Sequence, residues 1–169
     1  SRTSVFLMSD QQYWFFLYSF SPENSQHHFP FFKDPSMAGE TALATLLRSM
    51  SPHLNEGDYV FCTLPDHRIP DGCEVIGSFR EQEGLTVIVE RQQAEQAGLG
   101  YDYIAAWITL NVHSALQAVG LTAAFASALG QAGISCNVIA GYYHDHLFVG
   151  RSDAARAMAV LGQLAASAE

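Results

Sequence analysis

His144, Asp145 and His146 come nearest, in type and spacing, to residues that could do chemistry. Imidazoles at i and i+2 on a strand share a face, which is a workable spacing for zinc. His113, at a strand-to-loop junction, is the candidate third ligand, and the three together would make a small metal-dependent enzyme. No HExxH motif, paired carboxylate or cysteine-rich motif accompanies them. A hairpin tip explains His144 and Asp145 equally well, because polar residues belong at exposed turns. Ser114 beside His113 offers a hydroxyl, yet sequence neighbours rarely make a dyad and the chain has no G-x-S-x-G elbow. Asp66 and Asp71 read as solubilising loop residues. Cys62, Cys73 and Cys136 are odd in number and lack CxxC spacing, so they read as reduced, buried hydrophobes of a cytosolic protein. The expectation is a protein that is not an enzyme, with no catalytic residue, no metal and no cofactor.

Charge narrows the partners. The chain has 169 residues, 49% apolar and 15% charged, with a formal net of −9. Its single lysine is Lys33, and from Met37 to Glu169 the cations are Arg48, Arg68, Arg80, Arg91, Arg151 and Arg156, spread without clustering. Nucleic-acid binding needs a basic stripe to displace counterions, and none is available. The same shortage argues against an anionic membrane surface. A lysine-free body cannot form a Schiff base or hold transferring phosphates with lysine. No apolar run approaches the ~20 residues that span a bilayer, so a cytoplasmic location is expected.

The elements that must position these residues follow from periodicity. Gly39 to Met50 has helical spacing, with Leu43, Leu46, Leu47 and Met50 on one face, and Pro52 is expected to end it. Strands are expected at Asp58–Leu64, Cys73–Phe79 and Leu85–Arg91, the last two joined by the turn REQEG, and a short helix at Gln92–Ala97. Ile104–Val112 is apolar on both faces and reads as a central strand. Leu121, Phe125 and Leu129 at i, i+4 and i+8 define the inward face of a helix closed by Gly133, and its alanines suit it to lying flat on a sheet. Ser135–Tyr142 and His146–Val149 form a hairpin, and Ser152 or Asp153 caps a last helix with Met158, Leu161 and Ala165 inward. The order α-β-β-β-α, then β-α-β-β-α, predicts an α+β fold with an antiparallel sheet on one side and helices on the other.

Residues 1–36 differ from the rest. They hold half of all the aromatics, including Trp14, Phe15, Phe16, Phe31 and Phe32, and Pro22, Pro30 and Pro35 break regular structure. They lack the basic n-region and small-residue cleavage site of a signal peptide. Two readings stand: a leader or a non-native segment, with the natural start at Met37, or an aromatic arm that packs on this domain or a neighbouring subunit.

The stretch ITLNV, then VGLTAAFASALGQAGISCNVIAG, then HLFV, resembles an ACT domain, the βαββαβ amino-acid-sensing module of amino-acid kinases and biosynthetic enzymes. GETALATLLRSMSPHL, DYVFCTLPD and GLTVIVER resemble the partner module of small bacterial proteins built from two such domains. The resemblance implies two interleaved ferredoxin-like units, 37–100 and 101–169. An ACT unit ends on a fourth strand after its second helix, whereas this chain ends with the helix. That strand must come from the first half or be absent.

The resemblance further implies a regulatory protein that binds a small amino acid, forms a homo-oligomer and acts through another protein. Carried over by motif, the ligand positions are Ala118, Val119, Gly120, Leu121 and Thr122, then Asn137, Val138 and Ile139. The physics agrees. A helix start offers unpaired N–H groups to a carboxylate, Gly120 permits close backbone approach, and Asn137 carries a donor and an acceptor for the amine or the carboxylate. Each has a plainer reading: Gly120 serves only the turn, Asn137 satisfies a strand-end backbone group, and Thr122 is a helix-start hydroxyl. A structural pairing module with a vestigial ligand site is the remaining alternative.

Overall fold

A computed structural model describes residues 43–112 and 120–168. In chain order the elements are a helix over residues 43–49 (α1), strands β1 (Ser51–Leu54), β2 (Tyr59–Leu64), β3 (Val75–Arg80) and β4 (Leu85–Glu90), helix α2 (Arg91–Gln96), strand β5 (Ile104–Asn111), helix α3 (Leu121–Gln131), strands β6 (Cys136–Ala140) and β7 (Asp145–Gly150), and helix α4 (Ala154–Ser167). A single 3-10 turn, Arg151–Asp153, leads into α4.

One seven-stranded antiparallel sheet runs β3-β4-β2-β5-β7-β6, with β1 also paired to β5. The long β5 organises it. One edge of β5 takes β7 along Ala105–Leu110, while the other takes β2 at Ile104 and Ala105 and β1 at Ile108–Asn111. Its apolar character on both faces follows, since Ala105, Ala106, Ile108 and Leu110 are all buried.

Residues 51–54 depart from the expected arrangement: they form β1, whereas the sequence led straight from a helix to a proline stop. Four residues containing a proline give almost no strand signal. Pro52 fits because β1 lies at the sheet margin, where a missing N–H is tolerated. This short strand pairs Ser51 with Asn111 and Leu54 with Ile108, and α4 packs over it. It occupies the place of a fourth strand in the second unit. β1-β5-β7-β6 with α3 and α4 makes one ferredoxin-like unit, and β3-β4-β2-β5 with α2 makes the other. In the first unit, residues 65–74 join β2 to β3 without a helix.

The described helices cover one face. Beneath α1, α3 and α4 lies a core of Ala106, Ile108, Leu110, Leu147 and Val149 with Leu121, Phe125 and Leu129 from α3. From α4, Leu161 is buried together with Ala154 and Ala157, while Met158 and Ala165 are only half-buried. Beneath α2, Ala94 packs on Val60, Cys62, Val87 and Val89. The other face carries a third cluster, Tyr59, Ile88, Ala105 and Phe148, flanked by Phe61, Tyr103, Trp107 and Ile139.

Candidate ligand-binding site

Gly120 is the N-cap of α3, with φ +93 and ψ −20, a left-handed backbone that disfavours any residue with a Cβ. Its carbonyl accepts from Ala124 N at 2.9 Å, and no side chain caps the helix start. A Cβ here would stand 3.3 Å from Leu43 Cδ2, so the glycine also lets α1 close over the turn. Leu121 is buried and Thr122 half-buried. Ala118 and Val119, and the histidine His113, lie outside the described residues.

The second expected group lies on β6. Asn137 pairs with Phe148, Val138 with Leu147 and Ile139 with His146. Val138 packs into the core under the helices, whereas Asn137 and Ile139 share the opposite face with Phe148. β6 runs in the same direction as β5, since both are antiparallel to β7. The start of β6 therefore sits at the far end of α3 from Gly120. With eleven residues in α3, the two groups are separated by about 16 Å of helix. One module does not bring Gly120–Thr122 and Asn137 into a single cleft.

On the face away from the helices, two rows of side chains cross the strands. Asn137, Phe148 and Trp107 form one; Ile139, His146, Thr109 and His53 form the next. Tyr59 meets Trp107 edge-on at 5.3 Å between ring centroids, and Phe61 meets Phe148 in the same way at 5.3 Å. Trp107 stacks on Phe148 at 6.2 Å. Alternation over Tyr103, Ala105 and Trp107 was the available signal for this surface, because every second residue of a strand faces one way.

His146 belongs to that face. Trp107 Nε1 donates to its Nδ1 at 3.1 Å, which assigns the ring proton to Nε2. Burial lowers its pKa, the His144 charge lowers it further, and Asp145 opposes both. Burial raises the Asp145 carboxyl, against the two histidines. His144 lies in the turn before β7, where its carbonyl accepts from Gly141 N at 2.9 Å. The pair is therefore divided between turn and strand. Among the described residues no three His, Cys, Asp or Glu side chains converge to hold a metal. Cys136 is packed against the core, and burial pushes its thiol up to about 12. It stays protonated.

The arginines do not stay apart as their spacing suggested. Arg151 Nε binds Asp58 Oδ1 at 2.6 Å, and Arg91 Nη1 lies 3.8 Å from Asp58 Oδ2. Residues 58, 91 and 151 are far apart in sequence, so no local pattern announces this meeting; the pairing of β2, β4, β5 and β7 creates it.

Two ACT domain family models match the chain, one over residues 38–106 and one over 103–163. A Vibrio cholerae protein of unknown function, described as a possible transport protein, is 53% identical, with 75% of this chain and 98% of that one covered at a TM-score of 0.68. The chain belongs to the ACT domain family. The two ACT matches meet at residues 103–106, where β5 begins and both units draw on the same strand. The fold is also similar to that of the ligand-free regulatory subunit of aspartate kinase from Thermus thermophilus, at 12% identity, TM-score 0.52, with 67% of this chain and 95% of that one covered. It is similar too to aspartokinase III of E. coli in complex with aspartate and ADP, at 9% identity and TM-score 0.51, over 70% of this chain and 33% of that one. No curated protein matches the chain. No helix among the described residues is long and apolar enough to cross a membrane.

Proposed function

We propose that this ACT protein is a non-enzymatic, cytoplasmic regulator that binds a small amino acid, assembles as a homo-oligomer and acts through a partner protein. The single observation behind the reading is the shared sheet. Two ACT units joined through β5 cannot move independently, so a ligand held by one unit is felt by the other. The kinship in fold with an aspartate kinase regulatory subunit supports the same reading. The units are taken as 37–100 and 101–169, with β1 exchanged from the first to the second.

The proposed ligand positions are Ala118–Thr122 and Asn137–Ile139. Because one module holds these groups at opposite ends of α3, a site using both draws the helix start from one module and the strand from another. The carboxylate meets backbone N–H groups around Gly120–Thr122. Asn137, beside Phe148, reads the amine.

Thermal-shift measurements with the twenty amino acids test the proposal. A specific ligand at about 100 times its Kd adds about 2.7 kcal/mol of stability. At least one amino acid is expected to raise Tm at millimolar concentration, and Asn137→Ala to weaken that ligand by about 1–3 kcal/mol. His144→Ala should leave its affinity nearly unchanged. Failure of all twenty to stabilise the protein would contradict the reading.

A further inference from the structure

Asp58, Glu90, Arg91, Glu95 and Arg151 line a cleft of about 470 Å³. It opens where the β1–β2 connection, the β4–α2 corner and the β7–α4 corner meet. Arg91 N donates to the Asp58 carbonyl at 2.8 Å, which fastens the first two of these together. The Asp58 carboxylate then faces both guanidinium groups, Arg151 at 2.6 Å and Arg91 at 3.8 Å. Arg91 Nε also donates to Glu95 Oε1 at 2.8 Å and to the Tyr101 hydroxyl oxygen at 3.0 Å, while Tyr101 Oη donates to Glu95 Oε1 at 2.7 Å. That closed triangle fixes the Arg91 side chain and holds the Glu95 carboxyl below its usual range, Tyr101 contributing most and Arg91 next.

The groups left over decide what the cleft can bind. Asp58, Glu95 and Arg91 are engaged with one another or with Tyr101. Among the described residues the Glu90 carboxylate has no hydrogen bond or ion pair, and Arg151 uses only Nε, so its terminal nitrogens are free donors. Arg91 likewise hydrogen-bonds only through Nε, so a free carboxylate faces the unbonded terminal nitrogens of two guanidinium groups, which together complement a ligand that carries both an anion and a cation. A lone anion would face three carboxylates, and a lone cation two arginines.

We propose that this cleft is a second site, which takes a compact zwitterion of the α-amino acid class: the ligand carboxylate on the Arg151 terminal N–H groups and its ammonium on Glu90. It lies at the end of β7 opposite the hairpin turn, and thus away from Gly120–Thr122. Arg151 follows β7 in the second unit and Glu90 ends β4 in the first, so occupancy bridges the two units. A guanidinium and a carboxylate are charge-assisted partners that keep strength where water is only partly displaced. The proposal rests on the amino-acid-binding reading but assigns different residues.

Isothermal titration of the full chain with the twenty L-amino acids tests it. For the amino acid that binds, its decarboxylated amine and its N-acetyl form are titrated in parallel. The cleft predicts a binding event that persists in Asn137→Ala, is at least tenfold weaker for both analogues, and is at least tenfold weaker for the amino acid in Arg151→Gln and in Glu90→Gln. Glu90→Gln breaks no internal ion pair, so its result stands even if Arg151→Gln loses stability. Arg68→Gln, which removes the same charge from an exposed loop, should match the wild type. If no such event is found, and every amino acid that binds does so as tightly to both cleft variants as to the wild type, the cleft is overturned and the regulatory reading stands. Absence of binding by every amino acid overturns both.

Discussion

At Gly120 a left-handed backbone and a neighbouring leucine act on one residue. Alanine there would hold φ +93 and bring its Cβ to 3.3 Å from Leu43 Cδ2. A left-handed conformation disfavours an L-residue by roughly 1–2 kcal/mol, and the terminal methyl of Leu43 can give way, so the backbone sets the size of the effect. Gly120→Ala is expected to lower unfolding free energy by about that amount, read from the urea midpoint at constant m-value. His146 offers a pH test of opposite character. Its folded-state pKa lies below 6.5, chiefly through burial, so the unfolded chain binds the proton more readily. Stability from this residue is complete above pH 6.5 and is lost as pH falls from there through the folded value. Asp145, raised by burial, works in the reverse sense, losing stability as pH climbs from 3.8 through its own folded value. His146→Gln keeps an acceptor for Trp107 but does not titrate. Its Tm should therefore fall less than that of the wild type as pH drops below 6.5; equal slopes would show that His146 is not the group responsible.

The element with the largest structural consequence is the four-residue β1. It carries the β5 edge at Ile108–Asn111 that would otherwise be unpaired, and it lies under α4. A fragment spanning residues 101–169 should lack a cooperative melt, because its sheet edge and the underside of α4 would be open to water. Adding a peptide of residues 43–56 should restore one; a fragment that melts cooperatively alone would show β1 to be dispensable. The longer elements were legible beforehand. The inward face of α3 declared itself through Leu121, Phe125 and Leu129, all buried, and β2, β4, β5 and β7 fell within about two residues of their expected bounds. β1 was not legible, since SPHL has neither length nor alternation and its strand state comes wholly from pairing with residues over 50 positions away. The candidate site divides in the same manner. Gly120 at the start of α3 could be read from its neighbours, but the face on which Asn137 lies depends on the register of β6 against β7. The convergence of Arg91 and Arg151 on Asp58 is a product of the sheet alone.

Across the whole molecule, the helices lie on one side of a continuous sheet and an aromatic surface of Tyr59, Phe61, Trp107 and Phe148 on the other. β5 pairs with strands of both units, so the two units share one sheet without a linker. A net charge of −9 disfavours polyanionic partners. The proposed role of the shared sheet is amino-acid binding. Amide proton–nitrogen spectra of the full chain, titrated with each of the twenty L-amino acids, test it most directly. Amino-acid binding predicts saturable shifts for at least one amino acid, confined to amides at the ends of the strands and at helix starts. Spectra unchanged by every amino acid at millimolar concentration would contradict it.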